Sequence, residues 1–306
     1  MTQIASRLAV STAVIALFIA ACGGDDDVPA APANGFPLTL AQSDDQELTL
    51  AAAPQRIVSL STHATEIFCA IGAADQLVAV ELSANCPLGS GDKPELDAYE
   101  PNLEAIASYQ PDLVYVFIDS SGIVTALRRL NVPVLFMELP GTIEEVFDQI
   151  GLLGRIAARS EKAEEVAAEM QTRIDSVKKG LEESNGGPRV FHELDPSYFT
   201  ASPDTFIGDL YTELRAQNIA EGASEEYPQL SAEEIVKRDP EVIVFVDEVA
   251  GVNADAIAAR PGWNQISAVK DGRICPVDSE ILSVPGPRIV EGMEAIARCL
   301  YPDTSP

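Results

Sequence analysis

Basic side chains are scarce in this chain. Lysine and arginine together number 20 against 48 acidic residues, a formal net charge of -28 over 306 residues. Nucleic acids and anionic membrane surfaces attract basic patches, so this balance argues against both as partners, while an acidic surface also serves plain solubility. Histidine occurs twice, as His63 and His192. A dedicated zinc or manganese carrier needs a fuller set of imidazole and carboxylate ligands. The signatures of catalysis are missing too: there is no nucleophile elbow, no P-loop and no His-Glu zinc helix. Long apolar runs are absent, since the stretch from Leu8 to Ala20 falls short of the ~20 residues a bilayer requires.

Preceded by Arg7, that short run reads instead as a signal peptide over 1–21. Ile19-Ala20-Ala21-Cys22-Gly23 then resembles the lipobox of bacterial lipoproteins, which implies cleavage before Cys22 and its acylation. Residues 22–53 open with a stretch rich in Asp, Ala and Pro and read as a solvated tether between lipid and fold. An exported chain permits disulfides among the four remaining cysteines. Local pairing joins Cys69 with Cys86 and Cys275 with Cys299, because neither bond needs contact across the chain's two halves; free buried thiols are the alternative.

Beyond the tether, 46% hydrophobic content is enough to fill two cores. The pivot is 142–185. Pro140-Gly141 stops an apolar run, Thr142 and Glu145 give a capping-box start, and a break falls near Arg159-Ser160. From there Ala163, Val166, Met170, Ile174, Val177 and Leu181 recur at steps of three and four, a helical stripe that would run roughly 37 Å if it reached Ser184. Before the pivot, 54–141 alternates β-branched runs with helical patterns, and 186–306 repeats that grammar, as a parallel sheet with covered faces demands. One internal match is explicit. Glu104-Ala-Ile, four residues, then Pro111-Asp-Leu-Val parallels Glu233-Glu-Ile, four residues, then Pro240-Glu-Val-Ile. The expected fold is therefore α/β, with two Rossmann-like lobes of parallel sheet joined through a long helix and a cleft between them.

Several stretches taken together carry a resemblance. Arg56-Ile-Val-Ser-Leu-Ser with Ala64-Thr-Glu, Asn102-Leu-Glu with Gln110-Pro-Asp-Leu-Val, Tyr227-Pro-Gln-Leu-Ser, Pro261-Gly-Trp and Pro285-Gly-Pro-Arg-Ile resemble the substrate-binding proteins of ABC importers for cobalamin and iron siderophores. That resemblance implies a monomeric, non-enzymatic carrier in the cell envelope, without a cofactor, lipid-anchored and delivering cobalamin or another corrinoid to a transmembrane permease. Ferric siderophores and haem are the alternative ligands, and an enzyme on a Rossmann-like fold is the alternative class. It also implies that Glu104 and Glu233, one per lobe, dock onto permease arginines; first-turn helix glutamates serving the macrodipole are the plainer reading of both. Phe117 and Tyr227 fall where cobalamin binders place cleft aromatics, unless they are ordinary core residues, and Glu280 matches an acidic contact. Cys86 and Ala98 depart from the pattern, standing in place of a tyrosine and a tryptophan beside Tyr99. Ser61 and His63 follow the first strand of one unit and His192 that of the other, where ligand loops lie in such sheets. Either histidine could face a ligand metal, or be a satisfied core imidazole.

Overall fold

The computed structural model describes residues 35–84, 86, 93–119, 121–181, 186–248 and 251–303. The signal region and Cys22 lie outside them. Leu38–Ala41 (β1) and Glu47–Leu50 (β2) form an antiparallel hairpin. Then come Ile57–Leu60 (β3), Thr62–Ala70 (α1), Leu77–Glu81 (β4), Glu95–Leu96 (β5), Leu103–Ser108 (α2), Leu113–Val116 (β6), Ile123–Arg129 (α3) and Val134–Phe136 (β7). Strands β3 to β7 build one parallel sheet in the order β5-β4-β3-β6-β7. Every residue of β3 and β6 is buried, as expected for central strands covered on both faces.

Residues 35–53 correct the expectation of a tether. Leu40, Leu48 and Leu50 of the hairpin are buried in the main core. Its turn docks on the edge strand β7: Ser43 N–H donates to the Phe136 carbonyl at 3.1 Å, Phe136 N–H donates to Gln42 Oε1 at 2.8 Å, and Arg128 pairs with Asp44 at 2.5 Å. An exposed strand edge invites pairing with other chains, and this hairpin covers one. The period-two alternation Leu38-Thr39-Leu40 and Leu48-Thr49-Leu50 encodes it within a segment whose composition looks solvated.

The pivot holds two helices, Ile143–Ile156 (α4) and Ser160–Gly180 (α5). Thr142 caps the first by accepting from Glu145 N–H at 3.2 Å. The chain reverses at Ala158, whose φ is 54°, and the helices run back along each other: Phe147 shares a recess with Ile174 and Lys178, and Leu152 shares another with Ala163. A Cβ at Gly154 would overlap the Ala163 methyl, so the glycine is what allows so close an approach. The 21 residues of α5 span about 31 Å and bury the expected stripe of Ala163, Met170, Ile174 and Val177.

The second lobe consists of Arg189–Glu193 (β8), Phe206–Glu213 (α6), Gln217–Asn218 (β9), Ala232–Arg238 (α7), Val242–Phe245 (β10), Ala254–Ala258 (α8), Ser267–Lys270 (α9), Ile274–Pro276 (β11), Ser279–Leu282 (α10) and Ile289–Leu300 (α11). Its parallel sheet has the order β11-β10-β8-β9. The internal repeat extends to the backbone: Gln110 and Asp239, each directly before its proline, both take φ of 48°. One apolar core runs from the hairpin through α1, α4 and α5 into α6 and α11, so the lobes are joined by packed side chains as well as by the chain. Separate clusters fill the outer face of each sheet.

Cys69 and Cys86 form the expected disulfide, with Cα atoms 5.7 Å apart. Cys275 and Cys299 do not. They are free thiols, on β11 and α11, whose sulfurs share a hydrogen bond.

Candidate functional site

In an open parallel sheet, loops leaving the carboxyl ends of the strands part where the strand order reverses. In the first lobe that point is β3, flanked by β4 on one side and β6 on the other. A cleft of about 480 Å³ opens there and is closed from the second lobe by residues 279–288. The first lobe contributes Ser61, Thr62, His63 and Glu66 after β3, Glu81 at the end of β4, Tyr99 after β5, Phe117 after β6 and Leu139 after β7. The second contributes Ser279, Glu280, Ser283, Val284, Pro285 and Arg288.

One wall is apolar. Tyr99, 61% exposed, meets Phe117 edge to face with ring centres 5.8 Å apart, and Leu139 is exposed beside them. Aromatic rings that line a cleft offer stacking area. Among the described residues the charged lining is mostly acidic: Glu66, Glu81 and Glu280 against one guanidinium, that of Arg288. Glu81 is satisfied internally, accepting from Thr62 O–H at 2.6 Å and Ser83 N–H at 2.8 Å. Arg288 reaches across from the second lobe to Glu66 at 3.4 Å.

Ser61 and His63 border the cleft but are turned inward. Gln149 Oε1 can only accept, so His63 donates to it from Nε2 at 2.7 Å, and Nδ1 accepts from Ser61 O–H at 2.6 Å. Tyr115 O–H donates to the same Gln149 oxygen at 3.1 Å. Burial lowers the His63 pKa to about 4, so the ring stays neutral with both nitrogens engaged. Of the two readings of His63, a group facing a ligand metal or a satisfied core imidazole, this geometry is that of the second. The same geometry bears on the enzyme alternative: Ser61 is fully buried, caps α1 and gives its proton to a weak base, so the pair presents no nucleophile to the cleft.

His192 and Tyr227 are not brought to this cleft. His192 lies within β8 and not after it, buried in the lobe with Nδ1 bonded to the Tyr211 hydroxyl at 2.7 Å, and burial lowers its pKa to about 4. Tyr227 is 48% exposed on the loop after β9 and is not among the residues that line the cleft. The Pro261-Gly-Trp stretch serves the interior: Trp263 is fully buried and stacks under Arg260, whose guanidinium holds the buried Glu193 at 2.5 and 2.6 Å. Glu104 and Glu233 stand exposed at the second position of α2 and α7, capped by Asn102 and Ser231.

Sequence reasoning passed over Glu66 and Arg288 as site residues. A lone carboxylate in the apolar stretch from Ala64 to Ile71 was the available signal for the first, and nothing short of the fold could pair it with an arginine so far along the chain. Among the described residues, no group of three or more His, Cys, Asp or Glu side chains is placed to hold a metal ion, and no helix is long and apolar enough to cross a membrane.

Two α/β lobes with a cleft at the carboxyl ends of their strands coincide with a family match: residues 57–281 fit the model described as periplasmic binding protein. The chain belongs to that family. An uncharacterized ABC transporter substrate-binding lipoprotein of Bacillus subtilis, YvrC, is 30% identical to it over 94% of this chain and 95% of its own length. A cobalamin-binding protein of Halobacterium salinarum is 28% identical, covering 89% of this chain and 76% of the relative. The solved structure of a possible iron-binding, periplasmic solute-binding protein from Staphylococcus epidermidis superposes with a TM-score of 0.72 at 27% identity, covering 82% of this binding protein and 100% of that chain. These relatives are named as binding proteins, in keeping with a cleft that offers walls and hydrogen-bonding groups.

Proposed function

We propose that this protein is the substrate-binding lipoprotein of an ABC importer and that it captures cobalamin or a related corrinoid between its lobes. The observation that carries the ligand class is the cleft lining, where an aromatic wall of Tyr99 and Phe117 faces three carboxylates and one guanidinium. A corrin ring offers a broad apolar face edged with primary amides, whose N–H groups suit carboxylate acceptors. Haem carboxylates and the trianion of a ferric catecholate would instead meet like charge, which selects against them. The likeness to a cobalamin-binding relative supports the same choice. Cys22 carries the lipid anchor in this reading, and Glu104 and Glu233 meet the permease.

Replacing Phe117 by alanine tests the aromatic wall. Loss of a stacking ring is expected to weaken cyanocobalamin binding about tenfold, equivalent to about 1.4 kcal/mol, in calorimetric titration. Because Phe117 is only half-buried, the fold should survive the change. Undiminished affinity in the folded variant would remove Phe117 from the site.

A further inference from the structure

Glu66 lines the cleft with only 6% of its surface exposed. Its Oε1 faces Arg288 of the opposite lobe at 3.4 Å, a long and loosely made contact. Its Oε2 is buried without any hydrogen-bond partner. Among the described buried side-chain atoms of the cleft lining it is the one left unsatisfied, since Glu81, Ser61 and His63 are all bonded. On the second-lobe side this oxygen stands beside Gly286, where an added Cβ would lie 3.4 Å from it. An unpaired buried carboxylate oxygen is costly, and at a cleft wall a ligand can supply the missing donor.

We infer that Glu66 is the cleft's hydrogen-bond acceptor, receiving a ligand N–H on Oε2, a primary amide in the case of a corrinoid, and that it does so in its ionised form. The inference rests on the ligand reading above and adds a proton linkage to it. Burial is the main influence on this carboxyl and raises its pKa to about 7; the Arg288 guanidinium opposes the rise, while Glu291 on α11 and Glu280 on α10 add to it. Glu81 lines the same cleft from β4. The nearby His63, lowered to about 4, does not titrate around neutrality. In the free protein Glu66 is thus about half protonated near pH 7, and apparent affinity follows its ionised fraction. Binding must expel the proton, so affinity falls as pH drops through that pKa.

Calorimetric titration of the purified full chain with cyanocobalamin at pH 6, 7 and 8 tests this, because cyanocobalamin carries no group that titrates in that range. The wild type is expected to bind about tenfold more weakly at pH 6 than at pH 8, as the ionised fraction falls from about 0.9 to about 0.1. At pH 7 it should release about half a proton on binding, read from heats in buffers of differing ionisation enthalpy. Glu66→Gln should bind with no such slope and no proton release. A flat wild-type profile, affinity rising toward acid pH, or an equal slope in the variant would overturn the inference and leave the ligand reading standing. No binding by the wild type at any pH would overturn both. If the variant alone does not bind, the wild-type slope and proton release decide.

Discussion

Uptake is expected to cease when Glu104 and Glu233 are both replaced by lysine, while ligand affinity stays at the wild-type value. The two glutamates occupy equivalent places, second in α2 and second in α7, each exposed on its own lobe and outside the cleft lining. Pseudo-symmetric lobes can offer like charges to a pair of permease subunits. Turning attraction into repulsion at an interface costs several kcal/mol per site, whereas a lysine in the first turn of a helix costs only about 0.3–1 kcal/mol through the macrodipole. The first effect is large enough to block docking, and the second is too small to unfold the lobes. Transport into vesicles reconstituted with the permease, run beside equilibrium binding, separates the two. Retained transport, or affinity lost along with transport, would contradict the docking role.

Opening the Cys69–Cys86 bond should remove about 3 kcal/mol of stability, the entropy regained by an unfolded chain freed of a loop this short. The bond joins α1 to the loop after β4 across a separation of 17 residues. Both elements border the cleft, α1 through Glu66 and the loop through Ser83. Urea unfolding of Cys69→Ser should match that of the reduced wild type, and both should fall below the oxidised protein. Equal midpoints with and without reductant would show that the bond is mechanically idle.

Much of this architecture is legible in the sequence because it is written in local chemistry. The β-branched runs, the prolines that open β6 and β10, the Thr142 cap and the apolar stripe of α5 each dictate their own element. Phe117, Tyr99, Ser61 and Glu280 reach the cleft because they follow or approach strand ends, where position alone predicts location. His192 misleads for the same reason: one step inside β8 instead of beyond it, the side chain points into the lobe. The β1–β2 hairpin escapes notice because a few alternating leucines lie among polar and small residues, and the docking of its turn on β7 is decided by tertiary contact. Cys275 and Cys299 come together as foreseen, but proximity does not make the bond. Glu66 and Arg288 belong to different lobes, and only the closed arrangement of both sheets around the core reveals them as a pair.

The most direct test is competitive calorimetric titration of the wild-type chain with cyanocobalamin, haem and a ferric siderophore. An acidic cleft with an aromatic wall should bind cyanocobalamin saturably, at one molecule per chain, and in preference to the two iron ligands. Tighter binding of haem or of the ferric siderophore than of cyanocobalamin would contradict it.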